Sequence, residues 1–277
     1  MANFPFHQVD VFTAQPLRGN PLAVVLGADA LSTEQMAAFA NWTNLSETTF
    51  ILKPTISSAD YRVRIFTPSA ELPFAGHPTL GSCHVWLTAG GKPREAEIIQ
   101  QCDAGLIRIR RDGRRLAFAA PPLRRSGPLE ARMLAKIAKV LRLPPAAILR
   151  GSWADNGPGW AAIMLGSRDE LLALKPDFSA MSGLNLGVIA PAVGEEFQFE
   201  VRAFVPEVGV PEDPVTGSLN AALAQWFFAA GLAPAESYLV AQGTILGRAG
   251  RVHISRLGAD IWVGGDIVTC ITGTLKF

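Results

Sequence analysis

The sequence predicts a mixed α/β (α+β) chain made of two pseudo-duplicated halves, and three observations carry that expectation. First, strand-like segments dominate, with two long helical segments placed similarly in the two halves of the 277 residues. Second, VRIFTPSAELP (Val63 to Pro73) matches VRAFVPEVGVP (Val201 to Pro211), with Val, Arg, Phe and both prolines coinciding at one offset, 204 − 66 = 138. Third, after a two-residue shift HPTLGS (His77 to Ser82) meets DPVTGS (Asp213 to Ser218), 213 − 77 = 136, with Pro, Gly and Ser repeated and His replaced by Asp. Ordered matches of this kind read as a duplicated strand–loop–helix unit.

Taken in order, FHQVDVFTAQPLRGNPLAVVL reads as two β-rich stretches joined by a loop rich in Pro, Gly and Asn. A helix follows: Ser32 can cap it, Gln35 stands at the capping-box position, and Met36, Phe39 and Ala40 form its apolar stripe. Asn41 to Asn44 should end it. Thr48 to Leu52 and Tyr61 to Phe66 read as strands. Pro78 to Ala89 has helical spacing and stops at Gly90-Gly91. Strands are expected at Glu97 to Gln101, Leu106 to Arg111 and Leu116 to Ala119, and Ala120 to Pro128 reads as a linker. The pattern then restarts with a helix over Glu130 to Leu141, alternating strands, a helix over Pro214 to Ala230 stopped by Gly231, and closing strands.

Apolar residues make up 49% of the chain and charged residues 18%, so a sizeable core is expected and general disorder is not. A net charge of +1 supplies no long-range field for nucleic acid. The basic run Arg108, Arg110, Arg111, Arg114 and Arg115 is broken at Asp112-Gly113, where a solvated hairpin tip should fall. The opening MANFPFHQVDVF has neither the basic region nor the long apolar stretch of a signal peptide. No segment approaches the roughly 20 apolar residues of a membrane span. Cys83, Cys102 and Cys270 are far apart and in no metal spacing, which suits buried thiols in a reducing cytoplasm.

Each repeated loop places a polar side chain just before a proline that can open a helix, because the missing N–H of proline would be unpaired there anyway. His77 and Asp213 thus stand at cap-like positions, and Gly81 and Gly217 would let backbone approach a ligand. Helix N-termini carry partial positive charge and favour a carboxylate or an enolate-like intermediate. Taken singly, Asp213 reads as an ordinary helix cap and His77 as a cap or a satisfied loop residue. The duplication favours function for both, since a mere cap gives no reason to keep the whole surrounding unit. Glu47, between Leu45 and Phe50, is either a surface-turn residue or a carboxylate whose apolar surroundings raise its pKa toward the range useful for proton transfer.

GNPLAVV (Gly19 to Val25), NLSETTF (Asn44 to Phe50), FTPSAELPFAGHPTLG (Phe66 to Gly81) and EDPVTGS (Glu212 to Ser218) together resemble the PhzF-like proteins, named for the phenazine-biosynthesis isomerase. NGP at Asn156 to Pro158 and QGTILGR at Gln242 to Arg248 extend the resemblance over essentially the whole chain. It implies a diaminopimelate-epimerase-like fold: two similar halves, each a curved sheet or barrel around a central helix, with the active site in the cleft between them. The halves would be 1–118 together with a strand at about 265–277, and 119–264. It further implies that Glu47 shuttles a proton without a cofactor, that His77 and Asp213 support the transfer, and that Ser46, Gly76, Gly217 and Ser218 contact the substrate. A homodimer is implied as well. The epimerases of this fold use two opposed cysteines; at those loop positions this chain has Ala75 and Asp213, which disfavours a two-cysteine racemase.

No GxSxG elbow, GxGxxG turn or GxxxxGK phosphate loop occurs. His7, His77, His84 and His253 show no HExxH spacing. The resulting expectation is a cytoplasmic isomerase, free of metal and cofactor, that moves a proton within a small anionic, carboxylate-bearing substrate and binds neither nucleic acid nor membrane. Two alternatives stay open: an amino-acid racemase or epimerase, and a non-catalytic binding protein on the same scaffold.

Overall fold

The computed structural model describes residues 2–206 and 211–277. The chain forms two compact units, Met1–Ala119 with Gly264–Phe277, and Ala120–Val263. In chain order the elements of the first segment are β1 (Asn3–Val11), β2 (Asn20–Leu26), α1 (Thr33–Thr43), β3 (Glu47–Leu52), β4 (Tyr61–Phe66), β5 (Glu71–Leu72), α2 (Gly76–Thr88), β6 (Ile98–Cys102), β7 (Gly105–Asp112) and β8 (Arg115–Ala119). Then come β9 (Arg125–Pro128), α3 (Ala131–Leu141), β10 (Arg150–Asp155), β11 (Trp160–Met164), α4 (Arg168–Leu172), β12 (Asn185–Pro191), β13 (Phe199–Phe204) and β14 (Glu212–Asp213). The chain ends with α5 (Gly217–Ala229), β15 (Ser237–Gln242), β16 (Gly250–Leu257), β17 (Asp260–Gly265) and β18 (Ile267–Lys276).

Within the first unit β18 pairs antiparallel with β1, β1 antiparallel with β2, β2 parallel with β3, and β3 antiparallel with β4. β4 pairs antiparallel with β5 and parallel with β6, which leads into the antiparallel run β6–β7–β8. The second unit repeats the scheme: β9–β10 and β10–β11 antiparallel, β11–β12 parallel, β12–β13 and β13–β14 antiparallel, β13–β15 parallel, β15–β16 antiparallel. The duplication read from the sequence is therefore a duplication of strand order and direction, and the fold is mixed α/β.

Helices of two kinds pack on these strands. α1 is a surface helix: Ser32 Oγ accepts from Gln35 N and Gln35 Oε1 accepts from Ser32 N, closing the expected capping box, and left-handed Asn44 ends it. Its buried stripe, Met36, Phe39 and Ala40, packs with Phe4, Val25, Phe50 and Phe66. α2 and α5 are different, since small or apolar residues cover nearly all sides of their first turns, and a helix of that kind must be enclosed. α2 packs against β1, β2, β3, β4, β8 and β18, and α5 against β10, β11 and β16. Among the described residues no helix is long and apolar enough to cross a membrane.

Several expectations need correction. α2 starts at Gly76, two residues before the predicted Pro78, because the whole first turn lacks N–H acceptors and tolerates proline beyond its first position. α5 starts at Gly217, not Pro214. Glu212 and Asp213 are held extended in β14 against Phe204 and Ala203, and a residue before proline is in any case disfavoured in the α region. The stretch Ala120 to Pro128 is not all linker, because Arg125–Pro128 forms β9 on β10. Pro128 fits there because an edge position does not need its missing N–H. Gly81 faces the core instead of a ligand: a Cβ would stand 2.5 Å from Leu22 Cδ2 and 3.0 Å from Val9 Cγ2. Residues 207–210 of the repeat Val201 to Pro211, and Met1 of the opening segment, lie outside the described residues.

The alignment of the two loops also changes. Ile65 pairs with Leu72 and Phe66 with Glu71, while Ala203 pairs with Asp213 and Phe204 with Glu212. The structural counterpart of Asp213 is thus Leu72, 213 − 72 = 141, and the helix starts share that offset, 217 − 76 = 141. His77 then corresponds to Ser218, and the two polar residues once matched by their prolines are not equivalent.

Candidate active site

In the first unit the parallel pairing of β2 with β3 sets Leu22 beside Glu47. Strand alternation turns Asn20, Leu22 and Glu47 to the face that α2 covers. Thr49, on that same face of β3, receives the hydroxyl of Ser82 from α2 at 2.9 Å. α2 delivers His77 as its second residue, 3% exposed, with Nε2 3.4 Å from Glu47 Oε2. That is ion-pair distance, longer than a well-formed hydrogen bond. On the other side of the ring, His77 Nδ1 lies 3.3 Å from Asn20 Nδ2, and Ser46 Oγ lies 3.3 Å from Asn20 Oδ1. Ser46 and His77 therefore meet at one buried amide, Glu47 lies on the far side of the imidazole, and Gly76 directly precedes His77.

Burial drives the His77 pKa down to about 3, against a smaller upward pull from a hydrogen bond to the Pro21 backbone. The ring is neutral at neutral pH. No side chain caps α2, whose N-cap is Ala75, so its first turn offers backbone N–H groups beside His77.

In the second unit a buried ion pair fixes the approach to α5. Arg202 Nε and Nη2 donate to the two carboxylate oxygens of Glu212, each at 2.8 Å, and Arg202 Nη1 donates to the carbonyls of Leu171 and Leu174. Arg64 and Glu71 form the corresponding, more exposed pair in the first unit. Asp213 follows Glu212, and its Oδ2 accepts from Thr216 Oγ1 at 2.6 Å. Gln242 locks this loop: Nε2 donates to Asp213 O and to Thr216 Oγ1, while Oε1 accepts from Thr216 N and Asn220 Nδ2. Gly217 opens α5 and is buried. Ser218 Oγ accepts from Trp160 Nε1 at 3.2 Å, and Ser218 O accepts from Asn156 Nδ2 at 2.9 Å.

Of the residues singled out from the sequence, Ser46, Glu47, Gly76 and His77 thus lie together in the first unit, and Asp213, Gly217 and Ser218 lie together in the second. Asn20, Asn156, Trp160, Thr216 and Gln242 had no role in that reading. Asn20, Asn156 and Gln242 stand inside quoted motifs, which was the available signal, but spacing alone says nothing of the partners of a side-chain amide. The cysteines stay outside both groups. Cys83 is buried in α2, and burial pushes its thiol up to about 12. Among the described residues no three His, Cys, Asp or Glu side chains gather as a metal site. An apolar groove of about 590 Å³, lined by Phe6, Ala23, Phe39, Trp42 and Leu275, opens on the α1 face of the sheet, opposite the face that carries Glu47.

Comparison with known proteins identifies the family of the chain. The family model described as phenazine biosynthesis-like protein matches residues 9–273. Antisense-enhancing sequence 1 of Schizosaccharomyces pombe is 37% identical, with 99% of each chain covered. Trans-2,3-dihydro-3-hydroxyanthranilate isomerase of Pseudomonas aeruginosa is 33% identical, covering 91% of this chain and 90% of its own. The crystal structure of a PhzF-family protein from Enterococcus faecalis superposes with a TM-score of 0.81 at 25% identity, each chain fully covered. A hydroxyproline epimerase from Agrobacterium vitis, TM-score 0.58 at 13% identity over 99% of this chain and 92% of its own, shares the fold alone. The strand scheme, the motifs and these relatives agree, and the chain belongs to the phenazine biosynthesis-like (PhzC-PhzF) family as a PhzF-like isomerase.

Proposed function

We propose that this isomerase moves a proton within a small carboxylate-bearing substrate, without a cofactor, and that Glu47 is the proton carrier. The observation that supports this most directly is the Glu47–His77 pair: a carboxylate 3.4 Å from an imidazole that burial keeps neutral. A neutral imidazole sets no fixed cation beside the carboxylate, and Glu47 is the group placed to take a proton and return it to another carbon of the same substrate. His77 orients that carboxylate. Asp213, held by Thr216, supplies a second carboxylate that steers the substrate, and Ser46, Gly76, Gly217 and Ser218 contact it. The uncapped first turns of α2 and α5 favour the substrate's anionic group. A homodimer is proposed on the family resemblance.

The first probe is trans-2,3-dihydro-3-hydroxyanthranilate, the compound named for the Pseudomonas aeruginosa relative. Related dihydroaromatic and amino-acid carboxylates follow, each scored by NMR for conversion and for deuterium uptake from D2O. On any substrate so found, Glu47→Gln should keep the fold and ligand binding while turnover drops by about 10²–10⁴-fold, the usual worth of general acid–base catalysis. Undiminished turnover in Glu47→Gln overturns the assignment. Inversion at a single carbon, without a double-bond shift, would instead identify an epimerase.

A further inference from the structure

Asn20 is the first residue of β2 and is fully buried, and contacts engage both ends of its amide. The Oδ1 end meets Ser46 Oγ and the Nδ2 end meets His77 Nδ1, each at 3.3 Å. An amide nitrogen donates and cannot accept. With Nδ2 on that side Nδ1 is the acceptor, and a neutral imidazole then carries its single proton on Nε2; with the amide turned over, Oδ1 would accept from an Nδ1–H ring and Nδ2 would donate to Ser46 Oγ. Nε2 is the nitrogen 3.4 Å from Glu47 Oε2. The opposite tautomer, with the ring N–H turned to the Pro21 carbonyl, would set a bare nitrogen lone pair against the Glu47 oxygen. In a buried site that arrangement is tolerable only with a proton already on Glu47. The tautomer of His77 thus decides which partner of the pair holds the proton before substrate arrives.

Local structure holds Asn20 firmly in place. Asp10 Oδ2 accepts from Arg18 N at 2.7 Å and Gly19 N at 3.0 Å, fixing the backbone just before Asn20. Gly19 cannot be replaced there without collision, because a Cβ would run into the Val11 carbonyl. Asn20 pairs with Val11 at the end of the β1–β2 ladder. Its side chain consequently has a defined direction before any ligand binds.

We propose that Asn20 is a positioning residue for proton transfer: by donating to His77 Nδ1 it keeps the imidazole proton on Nε2, facing Glu47, so that Glu47 starts the reaction as the ionised base. The proposal rests on Glu47 being the proton carrier, but its first test does not depend on turnover. Nitrogen-15 NMR of ligand-free enzyme labelled at its histidine rings distinguishes the Nε2–H, the Nδ1–H and the doubly protonated forms. The His77 signals are assigned by their loss in His77→Gln. Wild type should show His77 as the neutral Nε2–H form. Asn20→Asp, which offers only acceptors, should convert it to Nδ1–H or to the doubly protonated ring, and Asn20→Ala should at least mix the two neutral forms. Wild-type His77 in the Nδ1–H form overturns the proposal, as does an unchanged Nε2–H form in both variants.

If Asn20→Asp does not fold, the wild-type and Asn20→Ala spectra still decide. With the substrate in hand, Asn20→Ala should lower kcat about tenfold or more while KM changes little, because Asn20 acts through His77 and not on the ligand. An unchanged kcat overturns the positioning role. The two readings fail separately: full activity in Glu47→Gln removes the proton carrier and leaves the tautomer standing, whereas an Nδ1–H ring with inactive Glu47→Gln removes only the role of Asn20.

Discussion

His77 sits where an imidazole resists taking a second proton, and this makes it a measurable element of stability. Its pKa falls from 6.5 in the unfolded chain to about 3 in the folded one, because burial disfavours the charged ring. In the window between those values the unfolded chain binds the proton and the folded chain does not, so acid favours unfolding. The contribution is fully present above about pH 6.5 and is lost progressively as the pH falls toward 3. With ~1.4 kcal/mol per decade of shift, the whole window amounts to a few kcal/mol. Thermal melts at successive pH values should therefore show wild type losing stability toward acid faster than His77→Gln, which has no ring to protonate. Parallel pH profiles for the two proteins would mean that folding does not lower the His77 pKa.

At the scale of the elements, α2 decides where His77 points, and Gly81 decides how closely α2 can lie on the strands. A methyl group there would press on Leu22, Val9 and Val11 from 2.5 to 3.1 Å. Gly81→Ala should destabilise by about 1–3 kcal/mol, the usual cost of overpacking, even though alanine favours helix over glycine. Calorimetry decides between the two effects: a raised melting temperature would mean that propensity outweighs packing. Gly81 also shows what the sequence can and cannot reveal. Capping chemistry is local, so the box at Ser32 and Gln35 and the stop at Asn44 were legible from neighbouring residues. The strand Tyr61–Phe66 was equally legible from its alternation. The start of α5 was not, because ladder pairing and the Arg202–Glu212 ion pair hold Glu212 and Asp213 extended, and those partners sit on a neighbouring strand beyond the reach of capping patterns. The same limit hid Asn20. GNP reads as a turn, whereas the ring beside Asn20 comes from a helix 57 residues away.

At the scale of the whole chain, the two units differ in how the sequence reaches them. The second unit is one continuous stretch, with a core joining α3 to β11 and β12 through Ile137, Leu141, Ile163 and Leu186. The first unit needs β18, which pairs with β1 along its whole length, from Asn3–Lys276 to Val11–Ile267. Leu275 and Phe277 also pack against the cluster around Phe39, and Ala2 and Phe277 exchange backbone hydrogen bonds. β1 in turn holds β2, and β2 carries Asn20 and aligns Glu47 on β3. Removing residues 266–277 should therefore loosen the Glu47–His77 pair from a distance. Hydrogen-exchange mass spectrometry on the truncated chain should show peptides of β1, β2 and β3 exchanging about tenfold faster or more, a local loss of at least ~1.4 kcal/mol. Peptides of β11, β12 and α3 should keep their protection, because their core lies within one uninterrupted stretch of sequence. Wild-type protection in β1 to β3 would mean that the first unit stands without its returning strand. Equal loss in both units would mean that the chain opens only as a whole.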